Sequence, residues 1–210
     1  DEEAVSRAFE DDRFTIVYSN FRYLSNFLRY YKVESVDGIL ADLGVSFHHF
    51  DDKNRGFSFR FEGALDMRMN QRGGKTAADI VNNYSEEELA RVLYLYGELK
   101  NSRRIAHNIV HTRSTSPLTR TEDLVAIMTG QRPSKPLLEG DEIAVDSRIK
   151  KDLARMFQAL RIEVNDEMGA LETMLNAALQ MLKPQGRIVI LTYHSLEDRI
   201  VKNFLRSGNC

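Results

Sequence analysis

Hydrophobic and polar residues near the start of the chain follow two different periods. The segments RFTIVYS (13–19) and VDGILAD (36–42) are rich in apolar and β-branched residues, which predicts strands. Helical spacing of apolar residues predicts helices in EEAVSRAF (2–9) and in FRYLSNFLRYY (21–31). The order helix, strand, helix, strand is typical of an α/β fold.

The same alternation returns near the end of the chain. Apolar residues recur at helical spacing from Leu171 to Leu182, and Pro184 and Gly186 then predict the end of that helix. The almost wholly apolar segment RIVILT (187–192) predicts a further strand. Apolar strands that alternate with helices favour a parallel sheet covered by helices on both faces.

The middle of the chain has a different texture. It contains no convincing strand, but Ser85 with Glu88 and Thr119 with Glu122 have capping-box spacing ahead of helical patterns. A connection that contains Gly and Arg precedes this part, and GQRPSKPLLEGDE lies within it as a loop. We therefore predict a small all-helical insert between two parts of the α/β domain, with these boundaries: 1–75, 76–156 and 157–210.

Composition limits the class of protein. With 42% hydrophobic residues among 210, the chain can bury a sizeable core. Its net charge of -2 means that nucleic-acid binding must come from a local patch. We find no apolar run of the roughly 20 residues that span a bilayer and no signal-peptide pattern, so we expect a cytoplasmic protein. The single cysteine, Cys210, excludes an internal disulfide and a cysteine-rich zinc site.

Polar residues follow three of the predicted strands. Asp42 ends VDGILAD, SNF follows TIVY, and YHS follows VILT. Ligands of open parallel sheets bind beyond the carboxyl ends of the strands, so we expect these residues to converge on one crevice. Asp42 has a simpler interpretation as a turn cap, and Ser195 with Asp198 fits helix capping better than nucleophilic catalysis. His194 is either a substrate contact or proton shuttle, or a structural histidine.

A basic helix is predicted in the middle of the chain. NSRRIAHNIVHTR (101–113) has apolar residues on one side and these basic residues elsewhere: Arg103, Arg104, His107, His111 and Arg113. No acidic residue occurs from Lys100 to Arg120, which indicates a face for phosphate contacts with a folded RNA. A solvated face without a partner is the alternative. The two histidines have no evident third ligand, so we predict no metal site.

Six segments together resemble one known family. They are DGILADLGVS, RGFSF, LDMRM, FQALRIEVNDE, MLKPQGRIVILTYH and HSLEDRIVK. Over nearly its whole length the chain resembles the MraW/RsmH family of 16S ribosomal RNA cytosine-N4 methyltransferases. The resemblance implies a class I, Rossmann-like parallel sheet that uses S-adenosylmethionine and is interrupted by a helical domain that helps to bind RNA. Compared with the family pattern, the N-terminal strand with its glycine-rich loop and the C-terminal strands are absent from this chain.

The resemblance also assigns cofactor and phosphate contacts. It places Phe21 beside the adenine, although Phe21 has an alternative interpretation as the first core residue of its helix. It assigns a cofactor contact to His49, where many relatives have glutamine, and makes Asp1 the second aspartate of an Asp-x-Asp pattern. Arg68 in LDMRM is a candidate partner for a phosphate or for the cofactor carboxylate, or else for an ion pair near Asp66.

Asp42 has two implied roles at the candidate site. It binds the cofactor's amino group or accepts a hydrogen bond from the exocyclic amine of the target base. Phe47 and Phe50 are candidates for the aromatic ring that stacks on the base. Phe59 and Phe61 have the commoner interpretation, in which they pack the connection onto the sheet.

The implied reaction is methyl transfer to the N4 amine of a cytidine in the decoding centre of 16S ribosomal RNA. The implied partner is the small ribosomal subunit, and the oligomeric state, a dimer included, stays open. One alternative is a methyltransferase for another nucleic-acid amine. The other is a non-catalytic RNA-binding protein, which the missing glycine-rich loop keeps under consideration.

Overall fold

A computed structural model describes residues 11–45, 52, 55–130 and 146–209. Their contacts divide the chain into two compact units. The first, which we call the sheet unit, comprises the described residues of 11–44 and 167–209. The second, the helical unit, comprises the described residues of 45–166.

The sheet unit combines two strands with three helices. A 3₁₀ turn at Phe21–Tyr23 leads into α1, and the remaining elements follow in chain order: α1 Leu24–Tyr30, β1 Val36–Asp42, α7 Glu167–Met181, β2 Leu182–Leu191 and α8 Ser195–Ser207. The strands pair in parallel, with Gly38 opposite Arg187 and Asp42 opposite Leu191. The predicted parallel strands are thus confirmed, although β2 begins five residues before RIVILT.

Only one face of this sheet is covered by described residues. Ile39, Ala41, Ile188 and Ile190 lie on the covered side, where the latter three pack against buried side chains of α7 and α8. On the other side Leu40 is 74% exposed. The prediction of cover on both faces is therefore wrong for the described chain, since the helices that it contains pack against one side.

The predicted strand at 13–19 is also wrong. This segment carries no strand assignment, and its apolar side chains Phe14, Ile16 and Tyr18 are exposed. A strand requires a neighbour to hydrogen-bond with, and β1 and β2 pair with each other. Local β propensity alone did not determine the structure here. The helix predicted at 2–9 lies outside the described residues.

The helical unit contains five helices within its described residues. They are α2 Ala77–Asn83, α3 Glu86–Leu95, α4 Ser102–Arg113, α5 Thr121–Thr129 and α6 Ser147–Asn165. The capping box of Ser85 and Glu88 is confirmed at the start of α3. The one predicted at Thr119 and Glu122 is wrong, because Asp123 instead accepts hydrogen bonds from the backbone of Thr119 (2.9 Å) and Arg120 (3.0 Å).

The connection that precedes α2 belongs to the helical unit. Leu65 and Met67 are buried in its core, and Asn165 at the end of α6 holds the segment by accepting from Met69 N–H (2.7 Å) and donating to Met67 O (2.8 Å). Phe59 packs on Phe157 of α6, with ring centroids 5.7 Å apart.

The contacts therefore place the unit boundaries at 44/45 and 166/167, compared with the predicted 75/76 and 156/157. The reason is that the connection and the whole of α6 share the helical core. The RNA-recognition role of the insert stays a prediction. No helix among the described residues is both long enough and apolar enough to cross a membrane.

Tyr84 gives a pH-dependent test of the helical core. Its hydroxyl donates to Glu163 of α6 at 2.8 Å, and burial and this bond raise its pKa from 10.0 to about 12. We expect Tyr84→Phe to lower the free energy of unfolding by about 1 kcal/mol. The raised pKa means that the stabilisation is complete below pH 10 and disappears as the pH rises towards 12. Urea unfolding of the wild type and of Tyr84→Phe across this pH range measures the difference in their free energies of unfolding. A difference that grows with pH would contradict the assigned hydrogen bond.

Candidate functional site

The carboxyl ends of β1 and β2 bring together an acidic and an aromatic side chain. Asp42, the last residue of β1, is exposed, and the hydroxyl of Tyr193 donates to its Oδ1 at 2.6 Å. Two of the three predicted strand ends thus meet. The third predicted strand end, at SNF, is not a strand end, because the segment before it forms no strand.

The hydroxyl of Tyr193 acts as a donor at this contact. Its hydrogen bond to the Asp42 carboxylate raises the pKa of Tyr193 above the usual value near 10. The phenol is therefore protonated at neutral pH, and a carboxylate can only accept from it. Asp42 is thus held by a donor and remains the acceptor of the pair.

Gly44 allows the aromatic ring to approach the strand end. A Cβ at this position would lie 3.2 Å from Cδ2 of Tyr193, which is closer than most carbon contacts. The backbone of Gly44 also has a φ of +89°, a conformation that side chains disfavour. The turn after β1 therefore depends on glycine both for its shape and for the position of the ring.

His194 lies immediately before helix α8, and its role as a substrate contact or proton shuttle stays a prediction. Its Nδ1 accepts from the backbone N–H of Glu197 at 3.4 Å, which makes it the N-cap. Glu197, which is 3% exposed, accepts in turn from the N–H of Tyr193 at 2.9 Å. The prediction that Ser195 caps this helix is wrong by one residue, because the helix itself starts at Ser195.

Three ionisable side chains cluster near the start of α8, and two of them, Glu167 and Glu197, are buried. The ligand-type atoms of Glu167, His194 and Glu197 lie within 4.8 Å of one another. Nε2 of His194 is 3.4 Å from Oε1 of Glu197. Nδ1 of His194 accepts from the N–H of Glu197, so the cap uses one of the two ring nitrogens. The arrangement supports a hydrogen-bonded anchor for the start of α8.

Phe21 remains available to a ligand. It is 44% exposed at the start of the 3₁₀ turn, which does not support its interpretation as a core residue. One turn later, Leu24 packs into the same apolar cluster as Leu43, the residue after Asp42. The other predicted residues of this site, His49, Asp1, Phe47 and Phe50, lie outside the described residues.

Arg68 is held in an ion pair within the helical unit. Its Nε and Nη2 donate to the two carboxylate oxygens of Asp66, both at 2.8 Å. The hydrogen bond from Arg68 lowers the pKa of Asp66. The geometry favours the ion-pair interpretation over a free phosphate contact, and the proposed RNA-binding role of Arg68 stays a prediction.

The basic face of α4 lies opposite its buried side. Ile105, Ala106 and Ile109 are buried, whereas the other set is exposed: Arg103, Arg104, His107 and His111. The two histidine rings stack with centroids 6.5 Å apart. Glu86 of α3 reaches this face and lies 3.2 Å from Nδ1 of His107, a contact that the α4 sequence alone could not indicate.

Arg113 differs from the other basic residues of α4. Its Nη1 donates to the backbone oxygen of Val81 at 2.7 Å, and the side chain is partly buried. The bond joins α4 to α2. The guanidinium therefore has a structural partner inside the helical unit, unlike the exposed side chains of Arg103 and Arg104.

Comparison with known proteins identifies the family. The model of the MraW methylase family matches residues 1–210. The chain belongs to the MraW methylase family. The resemblance found in its sequence motifs is thereby confirmed.

The chain is similar to curated proteins named ribosomal RNA small subunit methyltransferase H. It is 60% identical over 209 residues to the one from Phocaeicola vulgatus and 59% identical over 209 to that from Bacteroides thetaiotaomicron, covering 100% of this chain and 65% of each relative. The protein from Parabacteroides distasonis is 60% identical over 200 residues, which are 95% of this chain and 62% of the relative. The chain thus spans about 65% of the length of the relatives it matches most fully.

Three residues at the strand ends and at the start of α8 were not predicted as candidates from the sequence. Tyr193 was noted only as part of YHS, while Glu167 and Glu197 were not singled out. Glu167 follows the αL cap of α6 at Asp166, and a carboxylate at that junction gives no sign of burial. Glu197 could have been found from its position, because it is the third residue of α8 and a carboxylate at that position is typical of helix capping.

Measurements of stability can distinguish the structural role of Arg113 from the roles of the exposed arginines of α4. We expect Arg113→Met to lower the free energy of unfolding by about 1–2 kcal/mol, because the Val81 carbonyl loses a charged donor. Arg103→Met is the matched control on the same helix, and we expect it to change stability by less than about 0.5 kcal/mol. Urea unfolding followed by circular dichroism measures both. Equal stability of the two variants would contradict the structural role.

Proposed function

We propose that the intact protein transfers a methyl group from S-adenosylmethionine to the N4 amine of a cytidine in the decoding centre of 16S ribosomal RNA. The observation that carries the proposal is the exposed carboxylate of Asp42 at a parallel strand end, in a chain of the MraW methylase family. The small ribosomal subunit in the cytoplasm is the proposed substrate and location. The relatives' names support ribosomal RNA of the small subunit as the target.

Asp42 supplies what this chemistry requires from the protein. The amine of cytosine is a poor nucleophile because its lone pair is delocalised into the ring. A carboxylate that accepts from its N–H holds the nitrogen in line and draws electron density towards it. The N–C bond forms as the bond from carbon to sulfur breaks, and the nitrogen then loses a proton to an acceptor or to solvent.

The described residues fit part of the cofactor. Phe21 offers an exposed ring for an adenine, and in its alternative role Asp42 offers an acceptor for the amino group of the methionine part. When bound, S-adenosylmethionine supplies an electrophilic methyl group. His49 and Asp1 complete the proposed contacts, and both lie outside the described residues.

Charge on the helical unit supports RNA as the partner. Arg103 and Arg104 project from α4 with exposed side chains, and such cations position phosphates without reading sequence. Arg68 and Arg113 keep their proposed RNA contacts as predictions, with the partners described above. The face on α4 is also the one observation that favours the alternative of a non-catalytic RNA-binding protein.

The methyl-transfer role of Asp42 has a direct test. We expect Asp42→Ala to lower transfer to unmethylated small subunits by about 10²–10⁴-fold, because the acceptor is lost. Asp37→Ala is the matched control, since Asp37 is an exposed aspartate at the other end of the same strand. Labelled S-adenosylmethionine and nucleoside analysis measure the product. Full activity of Asp42→Ala with unchanged folding would refute the assignment.

The same assay separates the alternatives. N4-methylcytidine from the wild type supports the proposal, while N6-methyladenosine from a substrate with adenine at the target position would favour another nucleic-acid amine. Calorimetry with S-adenosylmethionine addresses the remaining case. A protein that binds small subunits but neither binds nor uses the cofactor is the RNA-binding alternative.

The basic face of α4 can be tested by salt dependence. We expect charge reversal by Arg103→Glu with Arg104→Glu to weaken binding to small subunits and to reduce the slope of log K against log salt by roughly 1–2. Lys150→Glu with Lys151→Glu is the control, because these are adjacent exposed cations on α6. An identical salt slope for the wild type and the Arg103 and Arg104 variant would remove the basic face from the interface.

A further inference from the structure

Tyr193 presents an exposed aromatic ring at the carboxyl end of the sheet. It is 66% exposed, although Ile188 and Ile190 of the preceding strand pack into the core. The usual fate of an aromatic ring is burial, which contributes most of its stabilising value. Packing therefore does not account for the place of this ring.

Hydrogen bonds fix the backbone of Tyr193 instead. Its N–H donates to Glu197, which is almost fully buried beside His194. Two residues earlier, Leu191 O accepts from the N–H of Leu43 at 3.2 Å, which ties the two strand ends together. The residue is thus held between the strand pair and the start of α8, so its ring does not require contacts of its own to stay in place.

The ring has one side against the chain and open surface elsewhere. Gly44 lies beside it, at a distance where a Cβ would be 3.2 Å from Cδ2 of Tyr193. The hydroxyl reaches Oδ1 of Asp42. A side chain that only positioned Asp42 would require a hydroxyl group but no exposed ring. A flat apolar surface beside a hydrogen-bond acceptor instead suits a planar ligand with an amine at its edge.

A nucleobase has these two features. Its faces stack on aromatic rings. Such stacking stabilises the binding of single-stranded nucleic acids to proteins with little dependence on sequence. The exocyclic amine at its edge donates to an acceptor in or near the plane of the base. Oδ1 of Asp42 is engaged by Tyr193, so Oδ2 is the oxygen for the amine.

We infer that Tyr193 is the platform on which the unpaired target base stacks, and that its hydroxyl keeps Asp42 turned towards the amine of that base. The inference rests on the proposed function, since it specifies how the same site holds its substrate. It assigns the stacking ring to a residue after β2 and not to Phe47 or Phe50. The ring contacts the substrate, while the hydroxyl acts through Asp42.

Two substitutions separate the ring from the hydroxyl. In the intact protein, Tyr193→Phe keeps the stacking surface, so we expect an unchanged KM for small subunits and a kcat lowered by a few-fold. Tyr193→Leu removes the ring, so we expect kcat/KM to fall about tenfold or more. Tyr30→Leu is the matched control, because Tyr30 is an exposed tyrosine of the sheet unit that is 76% exposed. Circular dichroism and thermal melting establish that each variant folds.

A binding measurement without methyl transfer makes the inference independent of the reaction. Saturation-transfer NMR with cytidine 5′-monophosphate reports contacts to the H5 and H6 protons of the base, with ribose 5-phosphate as the control ligand. We expect the base signal from the wild type, Tyr193→Phe and Tyr30→Leu, and its loss in Tyr193→Leu.

Each outcome decides the inference. In one outcome the wild type transfers no methyl group, and Tyr193→Leu is the one variant that loses the base signal. This result would support the platform and refute the proposed reaction. Wild-type kinetics and base signal in Tyr193→Leu would support the reaction and overturn the platform. Absence of a base signal from the wild type would also overturn it, whatever the transfer assay gives.

Discussion

The parallel pairing of β1 with β2 is the interaction on which the candidate site depends. It places Asp42 opposite Leu191 and thereby brings Asp42 to Tyr193, although 151 positions separate the two residues in the sequence. A slip of the register by one residue would turn the side chain of Asp42 to the other face of the sheet. The apolar cluster under the covered face opposes such a slip, because Ala41, Ile188 and Ile190 would lose their packing. The position of the acceptor is thus a consequence of core packing.

A second constraint acts at the start of α8, where charged groups are buried. Glu197 and Glu167 are almost fully buried, and a buried carboxylate is costly unless hydrogen bonds compensate for lost water. The N–H of Tyr193 donates such a bond to Glu197, and Nε2 of His194 lies 3.4 Å from Oε1 of the same carboxylate. The hydrogen bond from the N–H of Tyr193 also fixes the backbone of the residue whose ring is exposed. Removing one of these partners would leave a buried polar group uncompensated, so the bonds that fix the backbone also stabilise the start of α8.

The sequence predicted those parts of the structure in which local pattern and tertiary structure agree. VDGILAD, the helix before Pro184 and the cap at Ser85 follow from periodicity and capping chemistry, and the motifs identified the family. The segment 13–19 could not be predicted, because a strand exists only with a partner. The contacts of Tyr193 with Asp42 and of Asn165 with the connection could not be predicted either, since each joins residues about 100 or more positions apart. Long-range hydrogen bonds leave no period in a sequence.

The chemistry of the site also bears on which base it would accept under the proposed function. A carboxylate only accepts hydrogen bonds, and with a tyrosine hydroxyl on Oδ1 its remaining oxygen requires a donor. Cytosine presents an amine at the position where uracil presents a carbonyl oxygen, so uracil would place two acceptors together in a site screened by an aromatic ring. Where substrate binding buries the acceptor, a site that bonds an amine discriminates strongly against the analogue that lacks this donor. Adenine also carries an amine, so the acceptor at Asp42 does not by itself distinguish cytosine from adenine.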